Sequence, residues 1–282
     1  MALPVEKLGT VYEPRSATIE LARTQAYAAA TNDPNPAYDK GEFAPPVFGV
    51  VPTWEAMMVC VADIVPQEAM MMIVHGEQDM HFHKPLVPGQ HLTTQAEAYT
   101  VRVASSGTRF TVRVVSKDDG GDTVLEQFVT MFIRGMGDGE STGPDKPDHT
   151  FPDAARGNTL GELSVHVDDD QTFRYRDASG DMMPIHVDES FAKAVGLPGI
   201  IAHGLCTMAM CSQAVISVAA DGDPGQVRRL AVRFAKNVFP GNDVVTTVYD
   251  AGEENGRRIV AFEATSNGDT VISNGRAELA SA

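Results

Sequence analysis

The sequence predicts an α+β protein in which one plan is used twice, a helix apolar nearly all round wrapped by antiparallel strands. Two observations carry the prediction. A shift of 148 residues lays Tyr27 on Tyr175, Asp33 on Asp181, Pro36 on Pro184 and Tyr38 on His186. Slightly longer shifts lay Gly49 on Gly204, and Phe82, Lys84, Pro88 and Gly89 on Phe234, Lys236, Pro240 and Gly241. An offset that drifts by a few residues is what loops of unequal length produce, and two copies make a duplicated domain rather than a solenoid. The second observation is that both halves order their patterns alike, an apolar helix first and alternating segments after it.

The elements follow in order. TWEAMMVCVADIV at 53–65 and GLCTMAMCSQAVISVAA at 204–220 are the two helices, and a helix without a polar face has to be covered by other structure. TRFTVRVVS from Thr108 and TVLEQFVTMFI from Thr123 alternate as half-buried strands do, and Asp118-Asp119-Gly120-Gly121 turns between them. In the second half VVTTVYD, RRIVAFEAT and TVISNGRAEL repeat the meander, with turns at Glu254-Asn255-Gly256 and Asn267-Gly268-Asp269. Between the halves GMGDGESTGPDKPDHTFPDAARGNTLG is dense in Gly, Pro, Asp and Ser and reads as a linker. The expected division is 1–135 for the first unit, 136–160 for the linker and 161–282 for the second.

Composition narrows the function. The chain is 282 residues long and 43% hydrophobic, enough for one large or two ordinary cores. No long apolar run and no basic-then-apolar start predicts a cytoplasmic protein without a membrane span. The formal charge of −16 repels nucleic acid and anionic membranes. Cys60, Cys206 and Cys211 lie in apolar stretches without CxxC spacing and read as reduced core thiols.

The stretch from Tyr175 to Ala209 carries the chemistry. Asp181 and His186 would sit roughly 140° apart on a regular helix, and Pro184 disfavours that helix in any case. A turn through Ser179, Gly180 and Pro184 brings them together as an acid/base pair.

Ser179-Gly180-Asp181, Pro184-Ile185-His186 and Ile201-Ala202-His203-Gly204, in that order, resemble the signature of the MaoC-like dehydratases, the R-specific enoyl-CoA hydratase family. The resemblance implies a double hotdog fold, two antiparallel sheets each wrapped around a long apolar helix. It implies a lyase of fatty acid metabolism that interconverts (3R)-3-hydroxyacyl and trans-2-enoyl thioesters of coenzyme A or acyl carrier protein. Asp181 and His186 would be the catalytic pair. Ile201, Ala202, His203 and Gly204 would form the oxyanion and substrate-binding corner at a helix start. No cofactor and no metal is implied, and a homodimer is compatible with the family's form. ATNDPNPAYDKGEFAPPVFG looks like the degenerate repeat of fused members, keeping Asp33, Asn35 and Pro36 but holding Tyr38 at the histidine position. Tyrosine titrates near 10, so this repeat is expected to be non-catalytic. In the other repeat Met183 stands where many relatives have Asn.

Competing readings are a hotdog thioesterase and a non-catalytic acyl-thioester binding or assembly subunit. His81 and His83 share a strand face but lack a third ligand, so a metal is not expected there. Met57, Met58, Met70, Met71 and Met72 read as core filling, Tyr27 and Tyr175 as packing residues, and Lys84 and Lys236 as solvated.

Overall fold

Asn-Gly at the tips of two hairpins sets the register of the second half, because both central residues of such a turn need positive φ. In the computed structural model, which describes residues 2–280, Asn255 and Gly256 have φ 52° and 72°, and Asn267 and Gly268 have φ 50° and 79°. The chain forms β1 (Arg15–Thr18), α1 (Leu21–Ala30), α2 (Pro36–Asp39), α3 (Trp54–Ile64), β2 (Ile73–Phe82), β3 (His91–Ala104), β4 (Gly107–Lys117) and β5 (Thr123–Arg134). There follow β6 (Thr159–His166), α4 (Gln171–Ser179), α5 (Glu189–Ala194), α6 (Gly204–Ala219), β7 (Val227–Phe234), β8 (Asp243–Glu254), β9 (Arg257–Ser266) and β10 (Asp269–Ala280). Among the described residues no helix is long and apolar enough to cross a membrane.

The first compact unit comprises Met1–Thr18, Pro52–Lys84 and Gln90–Asp148. Its strands pair antiparallel in the order β1-β3-β4-β5-β2. Alternate residues of β3, Ala96 and Ala98 among them, meet Met57, Cys60, Val61 and Ile64 of α3. Only one face of α3 is buried, a departure from the expected all-round covering: Trp54, Glu55, Ala62 and Asp63 are exposed. Polar anchors on that outer face explain it, since Lys7 Nζ and the Tyr12 hydroxyl donate to Asp63 at 2.7 and 2.9 Å, and Arg15 meets Glu55. Of the methionines, Met57 is in the core, Met58, Met70 and Met72 pack against it, and Met71 is exposed. Lys84 pairs with Asp118 and Asp122.

The second unit comprises Ile19–Val51, Pro85–Gly89 and His149–Ala282. Its strands run antiparallel in the order β7-β10-β9-β8-β6 around α6, whose residues from Leu205 to Ile216 are all buried. The sequence's wrapped apolar helix is realised here over most of its length, with Ser217 exposed in its last turn. Residues 19–51, from the first half of the chain, belong to this unit because α1 packs on α4 and its polar ends are satisfied there. Asn32 donates to the His166 carbonyl, Asp168 and Gln171, and Arg174 donates to the Ala29 carbonyl and to Asn32. Asn35 donates to the Gly222 carbonyl just beyond α6, at 2.7 Å. Buried backbone groups that find such partners avoid a cost of about 1–3 kcal/mol each.

All three cysteines are buried and free, and burial pushes each thiol up to about 12. They are protonated thiols at neutral pH and poor nucleophiles.

Candidate active site

A glycine aims the candidate acid. Gly180 ends α4 with φ 85°, a left-handed conformation that costs glycine little, and its N–H donates to the Arg176 carbonyl at 2.8 Å. The chain reverses there and Asp181 follows. Its Oδ1 accepts the Met183 N–H at 3.1 Å, a turn closed by the carboxylate itself. Pro184 then opens a tight 3-10 turn over Pro184–His186, which delivers the imidazole. The sequence's turn through Gly180 and Pro184 is thus realised, and Asp181 and His186 converge.

His186 is buried, with Nδ1 2.8 Å from the Ile201 carbonyl oxygen. A carbonyl can only accept, so Nδ1 carries the proton and Nε2 is the bare, basic nitrogen. Burial lowers the pKa of His186, while the Ile201 carbonyl and the Asp181 charge oppose that shift. Each of Asp181, His186 and His203 brings a nitrogen or carboxylate oxygen within 4.8 Å of the others. His203 lies flat against His186, with ring centroids 3.8 Å apart and planes inclined by 26°. Its Nε2–H donates to the Asp181 carbonyl at 3.3 Å, and its Nδ1 is buried without a partner. Burial foremost, and the neighbouring His186 next, push the His203 pKa down to about 3, so its ring is neutral in ordinary buffers.

Three such donors match a metal centre in composition but not in geometry. An ion must lie close to the plane of each imidazole that binds it, about 2.0–2.1 Å from the nitrogen. Two rings stacked face to face cannot both meet that condition, so the cluster fits proton transfer. His81 and His83 lie beside carboxylates, Asp79 at 3.1 Å and Glu126 at 3.7 Å.

The predicted oxyanion corner divides its roles. Ile201 contributes its carbonyl to His186 Nδ1. The Ala202 N–H is already given to the Val238 carbonyl at 2.8 Å, so it is not open to an oxyanion. His203 directs its Nε2–H to the Asp181 carbonyl and its ring face to His186. Gly204 remains: it starts α6, is partly exposed, and its helix end carries no side-chain cap. A free helix start offers backbone N–H groups and partial positive charge to a developing anion. A β-carbon at Gly204 would lie 3.2 Å from the Phe234 ring, so glycine also relieves a tight packing contact there.

The first repeat keeps the same turn with Tyr38 at the position of His186. Asp33 Oδ1 accepts the Asn35 N–H at 3.1 Å, matching Asp181 and Met183. Asn35 further caps α2 through the Ala37 N–H at 3.0 Å, a bond Met183 cannot make to its own turn. The Tyr38 hydroxyl is buried without a partner and its pKa is pushed well above the ordinary value by burial and the nearby Asp33. What sequence reasoning missed is the ring contact beneath the pair, although the shared register of Tyr27 and Tyr175 was its visible signal.

Comparison with known proteins agrees with this arrangement. The family model for a MaoC like domain matches residues 152–271, and that for the MFE-2 hydratase 2 N-terminal domain matches 38–135. The peroxisomal hydratase-dehydrogenase-epimerase of Neurospora crassa is 30% identical over 83% of this chain, which spans 26% of that protein's length. A probable enoyl-CoA hydratase 2 of Dictyostelium discoideum is 26% identical over 73% of this chain and 69% of its own. The crystal structure of a MaoC-like dehydratase from Phytophthora capsici superposes with a TM-score of 0.86 at 25% identity, covering 99% of both chains. With both repeats matched and the five strands of each unit set against an apolar helix, the chain belongs to the MaoC-like dehydratase family in its double hotdog form.

Proposed function

We propose that this protein is a hydro-lyase that interconverts (3R)-3-hydroxyacyl and trans-2-enoyl thioesters, with Asp181 and His186 as its acid/base pair. The observation that carries the reading is the bare Nε2 of His186, fixed by the Ile201 carbonyl and set close to the Asp181 carboxylate at a partly exposed helix start. The names of the relatives, a hydratase-dehydrogenase-epimerase and an enoyl-CoA hydratase 2, support the same class.

In hydration a water molecule lies between the two side chains. Its oxygen adds to the β-carbon as His186 Nε2 takes one of its protons, and the C=C electrons move toward the thioester oxygen. Backbone N–H groups at Gly204 and the start of α6 face that developing charge. Asp181 orients the water and shares the proton transfer to the α-carbon, and the product carries the hydroxyl at Cβ and the new hydrogen at Cα. Dehydration is the reverse, with His186 giving its proton to the leaving hydroxyl. Positioned acid/base groups of this kind contribute on the order of 10² to 10⁴ in rate.

The first repeat is non-catalytic in this reading, since Tyr38 stands in place of the base and its hydroxyl stays protonated. A cytoplasmic location and a homodimer belong to the same proposal and are tested by cell fractionation and sedimentation equilibrium. The decisive assay uses crotonyl-CoA. Loss of enoyl absorbance without free thiol is expected, and thiol release would point to a thioesterase instead. His186→Ala should lower kcat by about 10² or more while its circular-dichroism spectrum shows the fold retained. An active His186→Ala would remove the base from the mechanism.

A further inference from the structure

Below the proposed pair runs a column of five rings. Phe48 meets Tyr27 edge-on, with centroids 5.5 Å apart, and Tyr27 meets Tyr175 at 5.4 Å. Tyr175 meets His203 at 4.8 Å, and His203 stacks on His186 at 3.8 Å. All five are buried, none more than 7% exposed. A single hydrogen bond ties the column in the middle, between the Tyr27 and Tyr175 hydroxyls at 3.1 Å. Phe48 and Tyr27 come from residues 19–51, the first-half segment within the second unit.

His203 touches both members of the pair. Its face carries the His186 ring, and its Nε2–H holds the Asp181 carbonyl. With that proton on Nε2 the buried Nδ1 is bare, so His203 has no spare hydrogen to give a substrate. Its contacts therefore suit orientation and not proton transfer. The charged or titratable groups acting on the two imidazoles are Asp181, Arg176 and the rings themselves.

We infer that His203 is a positioning residue that fixes His186 and Asp181 together, and that Tyr27 of the first repeat steadies it through Tyr175, so the repeat without a base still controls the base of the other. This rests on the hydratase reading. It goes beyond it in giving the first repeat a share in catalysis rather than in folding alone.

Two variants separate the contacts. His203→Gln keeps a donor toward the Asp181 carbonyl and removes the stacked face, whereas His203→Phe keeps the face and removes the donor. Each is expected to lower kcat for crotonyl-CoA by about 10-fold or more while KM stays within about 3-fold, the pattern of lost orientation. In His203→Gln water reaches the exposed face of His186, so the acid limb of the kcat/KM profile should move up by roughly half a pH unit. Tyr27→Phe leaves the Tyr175 hydroxyl unpartnered and should lower kcat by about 3-fold or more. Unchanged kcat and acid limb in all three variants, with only the unfolding midpoint reduced, would overturn the inference.

Nitrogen-15 NMR of the wild-type imidazoles provides a measurement that needs no variant. His203 should be the Nε2–H tautomer and stay neutral below pH 5; an Nδ1–H tautomer would break the link to Asp181 and sink the idea. If the wild type fails to hydrate crotonyl-CoA, the hydratase reading fails by itself, and the tautomer still reports on the column.

Discussion

At the scale of single residues, Met183 is where the two repeats can be compared atom by atom. Both close the same turn with an aspartate, but only the first adds an asparagine cap, from Asn35 to the Ala37 N–H. Met183 is 39% exposed and makes no side-chain bond to the turn that carries His186. Little packing is lost on replacing it. Met183→Asn should therefore cap the Pro184–His186 turn and raise stability by about 0.5–1 kcal/mol, read as a higher urea midpoint. A midpoint that stays the same or falls would show that Pro184 and Asp181 already hold the turn completely. The aspartate, the proline and the histidine were legible in the sequence because their turn chemistry is local. The duties of Ile201, Ala202 and His203 were not, since a backbone carbonyl or N–H finds its partner only through pairing distant in the chain.

At the scale of elements, both apolar helices were readable in the sequence, but the covering expected of them holds better for α6 than for α3. Both helices are apolar by composition, yet α6 is enclosed from Leu205 to Ile216 while α3 keeps Trp54, Glu55, Ala62 and Asp63 outside. Glu55 and Asp63, two carboxylates in an apolar stretch, were the signal in α3, and their partners Arg15, Lys7 and Tyr12 lie too far away in sequence to be assigned from it. The strands β8, β9 and β10 were legible through alternation and the Asn-Gly turns, which the φ angles bear out. The start of α6 depends on Gly204, where a β-carbon would press on the Phe234 ring of β7 at 3.2 Å. Alanine is the better helix former by up to about 1 kcal/mol, but overpacking against a ring that is itself held in a sheet costs about 1–3 kcal/mol. Gly204→Ala is thus expected to lower stability modestly. Phe234→Leu in the same chain should recover part of it, a coupling of about 0.5–1 kcal/mol in a double-mutant cycle. Additive effects of the two substitutions would mean that the contact carries no strain.

At the scale of the whole molecule, the repeat was legible as a shared register, while the placement of residues 19–51 in the second unit was not. Tyr27 and Tyr175 kept their spacing in the sequence, but only packing makes them touch. Asp33, partly buried, and His203, fully buried, form a pair of titratable groups with opposite pH dependence. His203 is held at about 3 against an ordinary 6.5, so it favours folding at neutral pH and that support is lost as pH falls from about 6.5 toward 3. Asp33 is held at about 6 against an ordinary 3.8, chiefly by burial, so its protonated form favours folding in acid and the support is lost as pH rises through about 6. Between about 4 and 6 the folded protein binds an extra proton at Asp33 and lacks one at His203, and the two slopes offset each other. Asp33→Asn removes one side of that balance while retaining an oxygen able to accept the Asn35 N–H. Near pH 7 the variant should be more stable than wild type by about 1–2 kcal/mol, because a charge no longer has to be buried, and the advantage should shrink toward zero at about pH 4. Urea midpoints measured at several pH values for both proteins test this, since every other titrating group cancels in the difference. A gap that stays constant with pH would mean that Asp33 titrates alike in the folded and unfolded chain, and the opposition between the repeats would disappear with it.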